Sequence, residues 1–460
     1  MRCSRLFISL ALALLAVQAF SQSQMPPEGG KPKDFVLPAK TTFALDNGLA
    51  VTLVNYGSIP KVTVNVVIRS GNINESAQQV WLADLTGTLM KEGTTGRSAQ
   101  EIAREAARMG GSISISAGED RTFVQGEVLS EFGADLVSLL SDVVRNPRFP
   151  ESELARLKND LLRQLSIARS SPQSLAEEQF RKALYPDHPY GRIFPTEEII
   201  KAFQIGDVRN FYGQNVGAAR THIYVAGRFD RGKIEDAIRK TFTGWRKGSE
   251  TLVNIPKPVS HRATHLIDRP GAPQSTIYLG LSVPDPSQPE YRALLVTNAL
   301  LGGSFASRIT MNIRENKGYT YSPYATVSPR YRDAYWLQVA DVTTEVTGAS
   351  LKEIFYEIER LRTKPPSADE LKGIQNYLAG VFVLQNSSPA GIIGQLSFLD
   401  LHGLPESYLK DAVKNIYAVT PEQVQKITDS YIRAKDVTII IVGDRKKIEQ
   451  QVMPFGRIEE

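Results

Sequence analysis

Cysteine is almost absent from this chain of 460 residues. The single cysteine, Cys3, precedes the apolar run of a predicted targeting segment, so it is not placed as a lipobox residue at a cleavage point. We expect the processed chain to contain no thiol, which excludes disulfides, a cysteine nucleophile and a cysteine-based zinc site. Such a protein must rely on its hydrophobic core, and this chain is long enough to bury one or two.

Long apolar runs are also absent beyond the N-terminal region. Arg2 and Arg5 precede an apolar run at residues 6–20, and small residues follow it. This pattern predicts a signal peptide over residues 1–24 and a periplasmic mature protein. A membrane anchor formed by an uncleaved signal is the alternative, and we expect no transmembrane segment after processing.

Charge of one sign does not dominate this sequence. Lys and Arg number 54 against 49 Asp and Glu, for a formal net charge of +5, and the two signs are interspersed without a basic run. Nucleic-acid binding therefore has no support, because it requires a concentrated basic patch.

One helix-then-strand pattern occurs twice. Residues 207–230 and 423–446 align without a gap, and their apolar positions follow helical spacing first and then form a β-rich run. The repeat predicts two halves of similar fold. The matched pairs are Val208 with Val424, Phe211 with Ile427, Val216 with Ile432, Ile223 with Ile439, and Gly227 with Gly443.

Strands and helices are mixed in both halves without strict βαβ alternation, which favours an α+β fold. Residues 41–55 predict a β-hairpin around an Asp-Asn-Gly turn, and 61–70 predict a strand. In the second half, residues 264–268 and 275–282 are predicted to form the corresponding strands. The predicted helices span 99–108, 132–145, 151–169, 174–183, 293–301, 345–361 and 368–384.

A linker separates the two halves. Residues 247–262 contain Pro256 and Pro258, a Gly-Ser pair and few bulky apolar residues. We therefore divide the mature chain into a flexible N-terminal segment, two domains and the linker between them. The segment spans 25–39, the N-terminal domain 40–246 and the C-terminal domain 263–460.

Four segments together resemble the M16 peptidase family, the insulinase and pitrilysin group, and especially its short bacterial members. They are DNGL at 46–49, HPYG at 188–191, LGGSF at 301–305 and IRENKGYTY at 313–321. The resemblance implies two homologous α/β-sandwich halves of the LuxS/MPP-like metallopeptidase type. It also implies that two such chains enclose a chamber, in which a zinc-bearing domain works with an Arg and a Tyr from another half.

The family's zinc segment resembles L-A-H-x-x-E-H-M-L-x-K-G-T, and residues 82–94 read LADLTGTLMKEGT. The flanks match, but Asp84, Gly87 and Thr88 replace the two His ligands and the catalytic Glu. The third ligand, a Glu on a later helix, is replaced by Gln164. Because catalytic zinc needs three protein ligands, we expect this chain to bind no metal and to have no catalytic residue of its own.

The family's Arg/Tyr pair is retained as Arg314 and Tyr321. These two side chains donate hydrogen bonds without a titratable base and stabilise charge on a carbonyl oxygen. We expect Arg314 to end a helix that Gly318 breaks, and Tyr321 to start or lie in a strand. The alternative is structural: Arg314 complements a helix C-terminus and Tyr321 packs on a sheet.

Two weaker candidates leave alternatives open. His261 and His265 are four residues apart with no supporting Glu, so either a metal site or ordinary packed histidines fit them. Tyr319, Tyr321 and Tyr324 line a substrate groove or pack on a sheet.

The sequence predicts a non-catalytic subunit of a heterodimeric periplasmic zinc peptidase. Its partner is an M16 homologue that keeps the H-x-x-E-H motif and binds the zinc, and its substrate is a peptide. Arg314 and Tyr321 act in the partner's active site. The alternative is an envelope scaffold or binding protein of the same fold without a peptidase partner.

Overall fold

The computed structural model describes residues 35–251 and 253–459, so the predicted signal peptide and Cys3 lie outside the described residues. The first half contains β1 (Lys40–Ala44), β2 (Ala50–Asn55), β3 (Lys61–Ile68), α1 (Leu82–Lys91), α2 (Ala99–Arg108), β4 (Ser112–Ala117), β5 (Thr122–Leu129), α3 (Gly133–Arg145), α4 (Glu151–Ser170), α5 (Pro172–Leu184), α6 (Glu197–Ala202), α7 (Ile205–Asn215), β6 (Thr221–Gly227) and α8 (Arg231–Phe242). The second half contains β7 (Ala263–Asp268), β8 (Gln274–Val283), α9 (Tyr291–Asn298), α10 (Arg308–Thr310), β9 (Tyr324–Arg330), β10 (Asp333–Thr343), α11 (Thr347–Thr363), α12 (Ala368–Gln385), α13 (Pro389–His402), α14 (Ser407–Lys410), α15 (Ala412–Tyr417), α16 (Pro421–Tyr431), β11 (Thr438–Gly443), α17 (Arg445–Val452) and β12 (Ile458–Glu459).

Local sequence signals set several of these elements. β1 and β2 pair antiparallel around the predicted turn, where Gly48 has a φ of 88° that favours glycine. α2 begins at a capping box: the Ser98 hydroxyl accepts a hydrogen bond from the Glu101 amide, and the Glu101 carboxylate accepts one from the Ser98 amide. The predicted hairpin and strand 61–70 are confirmed.

The strands form two six-stranded sheets with matching topology. Their orders are β1-β2-β6-β3-β5-β4 and β12-β7-β11-β8-β10-β9. β2 and β7 run parallel to the central strands β6 and β11, whereas β3 and β8 run antiparallel to them. The outermost strands differ, since β1 is antiparallel to its neighbour and β12 is parallel. The two homologous α+β halves predicted from the sequence are confirmed.

The repeat in the sequence coincides with the centre of each half. α7 with β6 and α16 with β11 occupy equivalent places, and Val208 and Val424 are both fully buried. β6 and β11 are buried along nearly their whole length, as expected for central strands with continuous apolar runs.

One helix from each half packs against the sheet of the other half. α5 packs on β8 and β11, and α13 packs on β3 and β6. The buried Phe180 of α5 lies edge-on to Tyr335 at 5.3 Å between ring centroids. Gly280 permits this approach, because a Cβ there would lie 2.5 Å from the Phe180 ring. The exchange of helices joins the two halves into one packed body.

Polar contacts strengthen this junction where the β4–β5 turn meets the β9–β10 turn. Arg181, which is buried, pairs with Glu119 at 2.8 Å, and Glu119 also pairs with Arg330. The Tyr190 hydroxyl donates to Asp120 at 2.5 Å. Removing one partner of a buried ion pair destabilises a protein strongly, because the other charge is left unpaired. This network therefore fixes how the halves meet.

The described part of the predicted linker contains no helix or strand. It is nevertheless attached, because the Val259 amide donates to the Leu184 carbonyl at 2.8 Å. Within the predicted N-terminal segment 25–39, Phe35 packs edge-on against Phe382 at 5.1 Å. The domain boundaries stay predictions. Among residues 35–459, with residue 252 excepted, no helix has the length and apolarity to span a bilayer.

Candidate functional site

The vestigial motif, which we define as Asp84, Gly87 and Thr88, lies on α1. The helix buries Leu82, Leu85 and Leu89 in the hydrophobic core of the first half, and this packing holds the helix in place. Its N-cap residue, Trp81, has a left-handed φ of 73° and no capping side chain. A residue a few positions before the helix supplies the cap.

That residue is Glu75, which is buried just before the helix. Its carboxylate accepts hydrogen bonds from the Trp81 amide at 3.1 Å and the Ala83 amide at 2.8 Å. Free amides at a helix N-terminus need such acceptors, and a negative charge there is favourable. Burial nevertheless raises the pKa of Glu75 to about 8, against the effect of these amide donors.

Asp84 occupies the first ligand position and is already hydrogen-bonded. Its Oδ2 accepts from the Asn72 side-chain amide at 2.8 Å, and the same amide donates to Glu75 at 3.2 Å. Burial raises the pKa of Asp84, and the Asn72 donor opposes that shift. Asn72 therefore joins two carboxyl groups in a small, partly buried network.

Gly87 and Thr88 complete the vestigial motif without metal ligands. Gly87 is buried, and a Cβ there would lie 3.3 Å from a methyl group of Ile115 on β4. The exposed Thr88 hydroxyl donates back to the Asp84 carbonyl at 2.9 Å, which is ordinary helical bonding for threonine.

The residues present do not fit a catalytic zinc. Gln164 lies exposed on α4, which packs against α1, and makes no side-chain hydrogen bond to another described residue. Asp84 is thus the only charged oxygen donor among the four positions, whereas catalytic zinc takes three protein ligands. Across the described residues, no three His, Cys, Asp or Glu side chains are arranged to hold a metal ion.

A pocket of about 240 Å³ opens beside Asp84. Its apolar wall includes Trp81 and Phe194, whose rings meet edge-on at 5.9 Å. Its polar wall includes Arg181 and Arg192. The position of the vestigial motif therefore retains a cleft that combines aromatic surface with both guanidinium and carboxyl groups.

The retained pair forms a surface stack, defined as Phe305, Arg314 and Tyr321. The Arg314 guanidinium carbon lies 4.6 Å from the centre of the Phe305 ring and 4.9 Å from that of Tyr321. Its Nε pairs with the Glu315 carboxylate at 3.1 Å. The Nη groups make no hydrogen bond to any other described side chain or carbonyl, so this edge of the guanidinium is free to meet a ligand.

The helix prediction around this stack is confirmed and the strand prediction is wrong. Arg314 lies in a π-helical segment, Met311–Asn316, and Gly318 follows with a left-handed φ of 65°. Tyr321 is in a bend and is 80% exposed. Thr320 forms an isolated bridge to Val342, and continuous pairing begins at β9, just after Pro323, which has no amide hydrogen to donate to a ladder.

The other tyrosines of the predicted cluster divide between the two alternatives. Tyr319 packs against the hydrophobic core of the second half, whereas Tyr324 is half exposed at the start of β9. They do not form one groove.

The histidine pair has a carboxylate near it that the sequence did not indicate. Glu459 of β12 lies 3.8 Å from His261 and 3.9 Å from His265, between the ring nitrogens and one carboxylate oxygen. β12 pairs with β7 and brings Glu459 beside His265. Even with Glu459 beside them, the two histidines do not belong to a group of described side chains arranged to hold a metal ion.

Sequence reasoning missed Asn72, Glu75 and Phe305. The lack of any capping residue before α1 was a usable signal for Glu75, because buried helix ends need partners. Phe305 had a weaker signal: a lone aromatic residue after a Gly-Gly pair.

Comparisons with known proteins agree with this geometry. Residues 50–195 match the model of insulinase, peptidase family M16, and residues 202–378 match the model of the peptidase M16 inactive domain. The uncharacterized zinc protease YmxG of Bacillus subtilis is 26% identical over 400 residues, 85% of this chain and 97% of the relative.

Two solved structures share the fold. The peptidase M16 inactive domain from Pseudomonas fluorescens superposes with a TM-score of 0.81 at 24% identity, covering 88% of this chain and 98% of the other. A protease from Helicobacter pylori gives a TM-score of 0.83 at 18% identity, covering 89% and 100%. With both halves matched in sequence and fold, the chain belongs to the M16 peptidase family.

Proposed function

We propose that this chain is the non-catalytic subunit of a heterodimeric M16-type zinc peptidase. It is exported to the periplasm, pairs with a homologue that keeps the H-x-x-E-H motif, and supplies Arg314 and Tyr321 to that homologue's active site. One contrast carries the proposal: the Asp84 carboxylate already accepts a hydrogen bond from Asn72 within this chain, whereas Tyr321 is 80% exposed beside a guanidinium with a free edge.

The vestigial motif supports a structural role for the first half. The Glu75 carboxylate accepts hydrogen bonds from the free amides at the start of α1, and the Asn72 side chain donates one to the Asp84 carboxylate. The helix therefore keeps its place without a metal. A chamber wall requires that fold and needs no chemistry at α1. The adjoining pocket, whose lining includes Trp81 and Arg192, offers a surface for peptide binding.

The Arg314 stack supports the catalytic contribution. A purely structural Tyr321 would be packed, because an exposed aromatic ring gains little from the hydrophobic effect. Arg314 and Tyr321 instead present N–H and O–H donors to solvent. Placed against a peptide carbonyl, such donors stabilise the negative charge that develops on its oxygen when water attacks.

The predicted signal peptide supports export, and the names of relatives support the choice of partner. YmxG is called a zinc protease, so the partner to test is a zinc-bearing M16 homologue encoded in the genome that encodes this chain. In that complex, zinc and the activated water belong to the partner, and this chain binds and orients the peptide.

Co-expression with that homologue tests the proposal. We expect the two chains to co-purify, and the mixture to cleave unstructured peptides faster than either chain alone. The scaffold alternative predicts no gain in peptidase activity. Tight, stoichiometric zinc and chelator-sensitive cleavage by this chain alone would contradict the proposal.

A further inference from the structure

We infer that Phe305 is a positioning residue for Arg314. Its ring lies 4.6 Å from the guanidinium carbon while remaining 62% exposed, so its placement is not explained by burial. The inference rests on the proposed function, since it explains how Arg314 is held ready for a peptide carbonyl.

The loop that carries Phe305 is rigidly attached at its base. Gly302 and Gly303 end a π-helical segment, Ala299–Gly303, that continues from α9. A Cβ on Gly302 would lie 2.4 Å from the Gln338 side-chain oxygen, and one on Gly303 would lie 2.4 Å from the Asn298 amide nitrogen. The glycine pair thus allows the backbone to pack tightly before the chain turns outward at Phe305.

Three contacts then restrict the Arg314 side chain. The rings of Phe305 and Tyr321 contact the guanidinium, and Glu315 pairs with its Nε. An arginine on the surface otherwise samples many rotamers, and the planar fork loses less freedom on binding when it is already held. What stays unpaired is the Nη edge, which is the edge suited to an oxygen ligand.

Phe305→Ala removes the aromatic ring, and Phe305→Tyr keeps it. Tyr356→Ala is the matched control, because Tyr356 is an exposed aromatic residue on α11 outside the stack. The first readout uses this chain alone: the Nε–Hε resonance of Arg314 in arginine-labelled protein, assigned with Arg314→Lys. We expect Phe305→Ala to shift and broaden that resonance, and Phe305→Tyr and Tyr356→Ala to leave it unchanged.

The second readout uses the complex with the zinc-bearing homologue. An exposed cation–π contact supports a loss of about two- to fivefold in kcat for Phe305→Ala, with KM nearly unchanged. Phe305→Tyr restores the rate, and Phe305→Ala adds no further loss to an Arg314→Ala variant.

The outcomes separate the two claims. If Phe305→Ala leaves the Arg314 resonance unchanged, the positioning role is overturned. An unchanged kcat for this variant in an active complex overturns it as well. If the wild-type chain activates no homologue, the proposed function fails, and the resonance alone decides whether Phe305 positions Arg314.

Discussion

The Asn72 side-chain amide donates a hydrogen bond to Asp84 over 2.8 Å, at the place where the M16 motif has its first histidine ligand. The substitution therefore did more than delete a ligand. It put a carboxylate into a network with Glu75 that closes the N-terminal end of α1. The family's helix persists as a structural element.

Zinc binding should return only when the donor set is rebuilt. We expect the wild type to retain well under one zinc per chain after dialysis, and the Asp84→His/Thr88→His variant to bind weakly. Adding Gln164→Glu should produce stoichiometric zinc, because only then are three ligands present. The zinc-to-protein ratio by mass spectrometry measures this, with Gln164→Glu alone as control.

Stoichiometric zinc in the wild type would refute this interpretation of α1. Gly87→Glu, which would restore the general base, is expected to fold less well. Its new side chain must displace Ile115, which lies 3.3 Å from the added Cβ.

Glu75 should make stability depend on pH. Its folded-state pKa of about 8 lies above the ordinary value of 4.5, so the folded chain holds the proton more tightly. The resulting stabilisation is complete below the unfolded pKa and is lost as pH rises through about 8. We expect the free energy of unfolding in urea to fall between about pH 5 and about pH 9, and to fall less in Glu75→Gln.

Glu449, whose side chain is 42% exposed on α17, provides the control for this series. Glu449→Gln should follow the wild-type pH profile. Identical slopes for Glu75→Gln and the wild type would show that Glu75 is not the group responsible.

The exchanged helices should make the two halves unfold together. Phe180→Ala removes a fully buried ring of α5 from the second sheet, and such a change costs about 3–5 kcal/mol. Tyr356→Ala, at an exposed position, should stay within about 0.5 kcal/mol. Denaturation followed by circular dichroism and by fluorescence should give one coincident transition for each variant. Separate transitions for the halves would contradict the packing described here.

Much of the fold was predictable because its signals are local. The Asp-Asn-Gly turn, the alternating valines of β3 and the paired apolar positions of α7 and α16 each follow from short-range periodicity. The exchange of α5 and α13 was not predictable, since an apolar helix face does not reveal which sheet covers it. The place of Tyr321 was mispredicted because its β-rich context concealed the effect of Pro323.

The candidate site divides in the same way. Asp84, Gly87, Thr88, Arg314 and Tyr321 came from alignment with a motif. Glu75 acts through a local contact whose signal, an uncapped helix start, was overlooked. Phe305 acts through a contact with a separate segment, and no spacing in the sequence specifies such a contact.

The kcat of the complex with Arg314→Ala in this chain tests the central claim most directly. Loss of one donor to a developing oxyanion lowers kcat by about 10²–10³-fold in other enzymes, and we expect a fall approaching that range. KM should change little, the two chains should still co-purify, and Tyr321→Phe should lower kcat in the same direction. A complex that forms normally and keeps wild-type kcat with Arg314→Ala would contradict the account.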